Sequence, residues 1–142
     1  MKLSKCSVLI SLLVAGALLL SACAGILPGS GDPLEGTSWR LVTLEGASLI
    51  PGTEITLTFE EGQVRGSSGC NTYGGSYEVD GDKITMSDLY MTEMACLDPE
   101  GVMDQELEYL ELLRDAQAFQ IDEAELVIEA ASDEVLVFAR AQ

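Results

Sequence analysis

Alternating apolar and polar positions run through most of the chain after residue 34 and predict short antiparallel strands. The alternation is cleanest over residues 54–60, where Ile55, Leu57 and Phe59 would share one face. Turn signals such as Glu-Gly and Asp-Gly-Asp separate the apolar runs. On this basis the predicted strands cover residues 37–44, 54–60, 63–67, 73–79, 83–86, 118–121, 125–129 and 134–139.

One segment, between residues 99 and 115, departs from this alternation and predicts an amphipathic helix. Its apolar stripe, spaced by three and four residues, consists of Met103, Leu107, Leu110 and Leu113. Glu106, Glu108 and Glu111 are assigned to the other faces, and the stripe is interpreted as packing against the sheet. Short strands with one late helix predict a mainly β (α+β) fold: a curved antiparallel sheet or half-barrel closed by a single helix.

The first 22 residues differ from the rest and predict a lipoprotein signal peptide. Lys2 and Lys5 precede an apolar run over residues 8–20, which is shorter than the roughly 20 apolar residues of a membrane-spanning helix. The run ends in Leu-Ser-Ala followed by Cys23, the pattern of a lipobox. We therefore expect cleavage before Cys23 and acyl chains such as palmitate on its lipid. The alternative is an ordinary signal peptide with a chance cysteine at its cleavage site.

This reading divides the chain into a signal peptide (1–22), a flexible tether carrying lipidated Cys23 (23–33) and one folded domain (34–142). The tether is rich in Gly and Pro and lacks periodicity. We expect an extracytoplasmic protein, lipid-anchored to a membrane through Cys23 and monomeric. Because Ala24 does not resemble an inner-membrane retention signal, the outer membrane is expected if the organism is diderm.

Charge and composition exclude several functional classes. Loss of Lys2 and Lys5 with the signal would leave five basic residues against 24 acidic ones, a balance that repels nucleic acid and anionic headgroups. The sequence has no histidine, which excludes Ser-His-Asp triads and the usual zinc sites. We expect no catalytic residue, metal or cofactor. A carboxylate-based hydrolase stays open as an alternative because acidic residues are abundant.

The four cysteines have different expected fates. Cys6 lies in the signal peptide and Cys23 would carry the lipid, which leaves Cys70 and Cys96 in the domain. Outside the cytoplasm a disulfide between them would persist, and it would stabilise the fold by about 3 kcal/mol. The alternative is a pair of buried free thiols.

Two segments around these cysteines are unusually specific: residues 68–77 (SGCNTYGGSY) and residues 91–96 (MTEMAC). Together with Trp39-Arg40-Leu41 and the strand at residues 55–59, they resemble the META domain family, also called HslJ-like. The resemblance covers about residues 34–139, with the segments in the same order. Glu93 departs from the pattern, because many members of the family carry a basic residue there.

The resemblance implies a half-barrel crossed by one helix, found in exported lipoproteins of which some are linked with heat-shock or envelope-stress responses. It implies no enzymatic activity. We expect a non-catalytic, lipid-anchored binding or stress-protective module of the cell envelope, whose partner is an envelope protein or an apolar ligand. An apolar-ligand or pilotin-like secretion-assembly factor is the alternative. Candidate binding residues, expected to be exposed, are Asn71, Thr72, Tyr73, Tyr77, Thr92 and Glu93; alternatively the tyrosines pack and Asn71 serves a turn.

Overall fold

A computed structural model of the protein describes residues 31–141, so the predicted signal peptide and lipidated Cys23 lie outside the described residues. The elements are β1 (Ser38–Leu44), β2 (Ala47–Ser48), β3 (Thr56–Glu60), β4 (Gln63–Ser67), β5 (Thr72–Asp80), β6 (Lys83–Met91), α1 (Val102–Arg114), β7 (Ala116–Ile121), β8 (Glu125–Ala130) and β9 (Val135–Arg140). The mainly β prediction with one late helix is therefore confirmed for this part of the chain. In the described range, no helix combines the length and apolar character needed to cross a membrane.

The antiparallel strands close into a barrel of eight strands, in the order β1-β3-β4-β5-β6-β7-β8-β9. The closure is made by β9, which pairs with β1 from Trp39 opposite Arg140 to Leu44 opposite Leu136. The short strand β2 pairs with the end of β1. The half-barrel prediction is wrong in this respect, because the first and last strands complete the ring and leave few free strand edges.

Of the neighbouring strands in the barrel, β6 and β7 have the fewest paired residues. Their single register pair is Lys83 opposite Ala118, supported by the Phe119 N–H donating to the Asp82 carbonyl at 2.9 Å. Helix α1 connects these two strands along the chain, and its inward side chains reach the loops at one end of the barrel. The helix therefore covers that end, as predicted for an element that closes the sheet.

Large aromatic side chains fill the barrel interior. Trp39, Phe59 and Phe138 are almost fully buried, and Tyr109 extends inward from α1. The Tyr109 ring lies edge-to-face against Phe138 and Tyr73, with centroid distances of 6.5 and 5.6 Å. Such pairs add to the free energy gained by burying apolar surface.

The predicted stripe of α1 is only partly correct. Leu110 and Leu113 are buried, but Leu107 is 53% exposed and Glu106 is completely buried. The buried face of the helix consists of Val102, Gln105, Glu106, Tyr109, Leu110, Leu112 and Leu113. Polar side chains are tolerated on this face because the barrel loops supply hydrogen-bonding partners for them.

Two glycines permit close approach of backbone in the curved sheet. A Cβ added at Gly66 of β4 would lie 1.9 Å from the carbonyl oxygen of Thr56. At Gly75 of β5, where the register with β6 shifts, an added Cβ would lie 2.8 Å from the Ser87 carbonyl oxygen. Neither site has room for a side chain.

Candidate functional site

The two cysteine segments meet at the covered end of the barrel and are joined by a disulfide. Cys70 lies in the loop between β4 and β5, and Cys96 lies in the segment between β6 and α1. Their sulfur atoms are bonded, with the two Cα atoms 5.9 Å apart. The predicted disulfide is thus present, and the alternative of two free thiols is wrong. The bond fixes the first motif against the start of the helix.

Asn71 is the hydrogen-bonding centre of this junction. Its Oδ1 accepts bonds from the Thr92 hydroxyl (2.7 Å) and the Met94 N–H (2.8 Å). Its Nδ2 donates to the Met94 carbonyl (3.2 Å) and to Glu106 Oε1 (2.7 Å). An asparagine amide has two donor hydrogens and two acceptor lone pairs, so its capacity is fully used. Asn71 therefore connects three segments: its own loop, the second motif and α1.

Glu106 anchors the helix to the same loop. Its carboxylate is 0% exposed and accepts hydrogen bonds from the Ser68 hydroxyl, the Asn71 N–H (2.7 Å) and Asn71 Nδ2. Hydrogen bonds to a carboxylate are among the stronger ones, and together they offset the cost of burying the group. Asn71, Glu106 and the disulfide form what we call the junction.

Gln105, next to Glu106, attaches α1 to a second loop. Its Oε1 accepts the Ile50 N–H at 2.7 Å, and its Nε2 donates to the Thr53 hydroxyl at 3.0 Å. The burial of these two polar residues was not predicted from the sequence, because the buried stripe was assigned from Met103 and the leucines. The signal that could have found them is the i, i+3, i+4, i+7 pattern that starts at Val102 and passes through Gln105 and Glu106 to Tyr109.

The candidate residues Asn71, Tyr73 and Tyr77 are buried, so the expectation that they are exposed is wrong. Tyr73 donates its only hydroxyl proton to the Thr56 carbonyl (2.8 Å), and the Tyr109 hydroxyl therefore donates to Tyr73 (2.6 Å). Burial, with the neighbouring Tyr109 hydroxyl as a second cause, raises the pKa of Tyr73 well above its usual value. These residues pack, as the alternative interpretation held.

Tyr77 likewise forms hydrogen bonds from inside the fold, in its case with residues at the start of the domain. Its hydroxyl donates to the carboxylate of Asp32 and lies 3.1 Å from Glu35 Oε2. Burial first, and then the Asp32 carboxylate, raise the pKa of this phenol. The contact attaches residues at the start of the domain to the middle of β5.

The remaining candidates, Thr72, Thr92 and Glu93, are exposed. Thr92 also contributes to the junction through its hydroxyl, whereas Glu93 extends into solvent from the segment that Asn71 holds. Met94 and Leu97 in the same segment are 56% and 91% exposed. We call residues 92–97 the ribbon. A binding role for the ribbon stays a prediction.

An acidic groove lies between α1 and the loop that carries Glu45. Two adjoining cavities of about 330 and 240 Å³ share Glu45 and Glu108 in their linings. The pKa of Glu45 is raised to about 7, first by a side-chain hydrogen bond with Glu108, with the charges of Glu108 and Glu134 also contributing. Within residues 31–141, no group of three or more acidic or cysteine side chains is arranged to hold a metal ion.

Solved structures of several other proteins share this fold. A protein from Burkholderia xenovorans, determined by NMR, is 29% identical and covers 77% of this chain and 84% of its own, with a TM-score of 0.63. A second NMR structure is 20% identical, covers 75% and 90%, and has a TM-score of 0.61. A DUF4847 family protein from Bacteroides vulgatus is 16% identical, covers 75% and 94%, and has a TM-score of 0.53. At such identities the last two show the fold alone.

The family comparison agrees with the two cysteine segments and with the barrel. The model of the META domain matches residues 32–142, which include every described strand and the helix. A search of curated protein sequences found no significant match. The match extends over far more than half of the sequence. This chain therefore belongs to the META domain family.

Proposed function

We propose that this protein is a non-catalytic, lipid-anchored binding module of the cell envelope. The observation that carries the proposal is the ribbon, an exposed segment that is held in place by the buried Asn71 and by the disulfide. Asn71 bonds to the backbone of Met94 through both its Oδ1 and its Nδ2, and the disulfide holds Cys96. A surface that is ordered in advance loses less conformational entropy when a partner binds.

The use of polar groups at the junction supports a structural rather than a catalytic role. Every hydrogen-bonding position of the Asn71 amide is satisfied within the protein, and Glu106 is wholly enclosed. Neither group is left to contact a substrate. Among the described residues, no buried side-chain nitrogen or oxygen lacks a partner. A stress-protective role is the form of this proposal that the family resemblance suggests.

Two alternatives receive less support. An apolar ligand inside the barrel would have to displace Trp39, Phe59 and Phe138, which occupy that space. A carboxylate-based hydrolase would use Glu45 and Glu108, and the raised pKa of Glu45 is the observation in its favour. However, Glu45 and Glu108 are both exposed, so neither is held in an enclosed site that would orient a substrate and keep out bulk solvent.

The anchor is tested by metabolic labelling of cells that express the full chain with an alkyne-tagged fatty acid. The wild-type protein should carry the label and fractionate with membranes, whereas Cys23→Ala should carry none. An unlabelled wild-type protein would refute the anchor. The labelled protein extracted from its own membrane can then be examined by native mass spectrometry for a bound ligand.

Binding is tested in the same cells with a photo-crosslinking amino acid at Glu93. Its matched control is the same amino acid at Gln120, an exposed position on β7. A discrete cross-linked product from position 93, absent from position 120, supports the binding module. Equal products, or none from position 93, would contradict it.

A further inference from the structure

Exposed apolar side chains are concentrated near the junction. The large hydrophobic residues exposed within the described range are Val42, Tyr90, Met94, Leu97 and Leu107. Four of these five lie between residues 90 and 107. Exposed apolar side chains gathered in one region mark an interaction surface more often than scattered ones do.

A contact within the fold brings together the two segments that carry most of these side chains. The Cys96 N–H donates to the sulfur of Met103 at 3.4 Å, which places the ribbon beside the first turn of α1. Leu107 follows Met103 by four residues and therefore lies on the same side of the helix. We call Met94, Leu97, Met103 and Leu107 the apolar surface.

Negative charge dominates the segment that carries the apolar surface. Between Lys83 and Arg114 the chain carries eight acidic residues and no basic one. Only Glu106 of the eight is buried; the exposed ones are Asp88, Glu93, Asp98, Glu100, Asp104, Glu108 and Glu111. In contrast to the junction, where three donors surround one carboxylate, these side chains face solvent.

The charge determines which partner fits. A second copy of this chain would bring an equally acidic surface into contact, and a membrane with anionic headgroups would be repelled. A segment with an apolar face flanked by lysine or arginine satisfies both features. Amphipathic helices of this kind bind by burying their apolar anchors while their charges contact the rim.

We infer that the apolar surface of the ribbon and α1 is a docking site for a cationic amphipathic helix of another envelope protein. The inference rests on the proposed binding function and specifies the chemistry of its partner. Leu97 and Leu107 supply apolar contact area, and the acidic rim sets orientation and selectivity. The disulfide and Asn71 keep the ribbon in place before the partner arrives.

The test uses the full chain in uncharged lipid nanodiscs and a fluorescent synthetic peptide with leucines on one helical face and lysines on the other. Anisotropy is measured against empty nanodiscs. We expect saturable binding that weakens as salt is added. A scrambled peptide of the same composition, and a leucine–glutamate peptide of the same pattern, should bind far more weakly.

Variants locate the binding. The double variant Leu97→Ser/Leu107→Ser should reduce affinity by about tenfold or more, because two apolar anchors are removed. Val42→Ser is the matched control, since Val42 is also exposed but lies on β1. Both sites are on the surface, so we expect the variants to fold. Equal losses in the two proteins, or no loss in the double variant, would overturn the inference.

Hydrogen exchange on the wild-type protein supplies an independent readout. Peptide binding should protect amides of residues 92–107. Protection confined to the acidic groove around Glu45 and Glu134 would place the peptide elsewhere and overturn the inference. If a partner cross-links at Glu93 while the cationic peptide fails to bind, the inference falls and the proposed binding function stands. If no partner cross-links at position 93, the proposed binding function itself is overturned.

Discussion

Glu106 and Glu108 lie two residues apart on α1, and their surroundings are opposite. Glu106 is enclosed and accepts hydrogen bonds from Ser68 and Asn71. Glu108 is exposed and faces Glu45, another carboxyl group, across the acidic groove. A rotation of about 200° around the helix separates the two side chains, which is why one belongs to the junction and the other to the groove.

The difference shows that the acidic composition of this chain conceals two kinds of carboxylate. Where donors are already in position, a carboxylate holds segments together. Where carboxylates face each other, each additional charge opposes the fold. The junction is therefore a stabilising region and the groove a destabilising one, and four substitutions test this contrast.

The largest effect is expected for Glu106→Ala. The Asn71 N–H and Nδ2 would lose their acceptor inside the protein, at about 1 to 3 kcal/mol for each unsatisfied donor. We expect the free energy of unfolding to fall by about 4 kcal/mol, measured by chemical denaturation with the disulfide intact. Glu108→Ala is the matched control and should leave stability unchanged or raise it. Similar losses in both variants would refute the contrast.

Asn71→Ala should have the next largest effect. The substitution leaves the Met94 N–H without its acceptor and removes one donor from Glu106. We expect a loss of about 3 kcal/mol and faster hydrogen exchange in the ribbon. Thr72→Ala, at the exposed neighbouring position, should change stability little. Unchanged exchange in the ribbon would show that Asn71 does not hold it.

Removal of the disulfide should cost less than either. The bond joins residues 26 positions apart, and the double variant Cys70→Ser/Cys96→Ser should lose about 2 to 3 kcal/mol. Because the hydrogen bonds of Asn71 remain, we expect the variant to fold. The wild-type protein measured with and without reductant serves as the control. A reduced protein as stable as the oxidised one would contradict this ranking.

The smallest effect, and of opposite sign, is expected for Glu45→Gln. The pKa of Glu45 is about 7 in the folded protein, above the ordinary value of 4.5 expected when unfolded. The folded state then binds more protons between these values, so stability falls as pH rises from about 4.5 to about 7. The variant should be slightly more stable than wild type above this range and equal to it below.

Denaturation over a range of pH, at low and high salt, measures this difference. Because Glu45 is exposed, added salt should diminish it. Glu78→Gln, at an exposed site on β5, is the control. A variant less stable than wild type at alkaline pH would mean that the Glu45 charge supports the fold and that the groove is not a region of repulsion.

The success of the strand predictions has a local cause. Over residues 54–60 the alternation of Ile55, Leu57 and Phe59 with polar residues records which side of the sheet each position faces. In contrast, β6 continues to Met91, well beyond the predicted 83–86, through residues with little β pattern of their own. Pairing with β5 extends β6 to this length, and pairing is a property of two strands rather than one.

The wrong expectation that some candidate residues are exposed has a different cause. Asn71, Tyr73 and Tyr77 are polar types that sequence reasoning placed outside, yet each is buried with a hydrogen-bond partner. Those partners lie between 17 and 45 positions away along the chain. No local pattern records a partner at such a distance, so burial of these residues could not be derived from their neighbours.

The sequence by itself determined most of the elements and the family, and it favoured the pairing of Cys70 with Cys96, because each depends on local periodicity or on a short specific segment. Only the tertiary structure decided that β9 closes on β1, that Glu106 lies inside and that the ribbon lies beside the first turn of α1. These outcomes depend on contacts between segments far apart in the chain. Their free energy arises only when the barrel has brought both partners together.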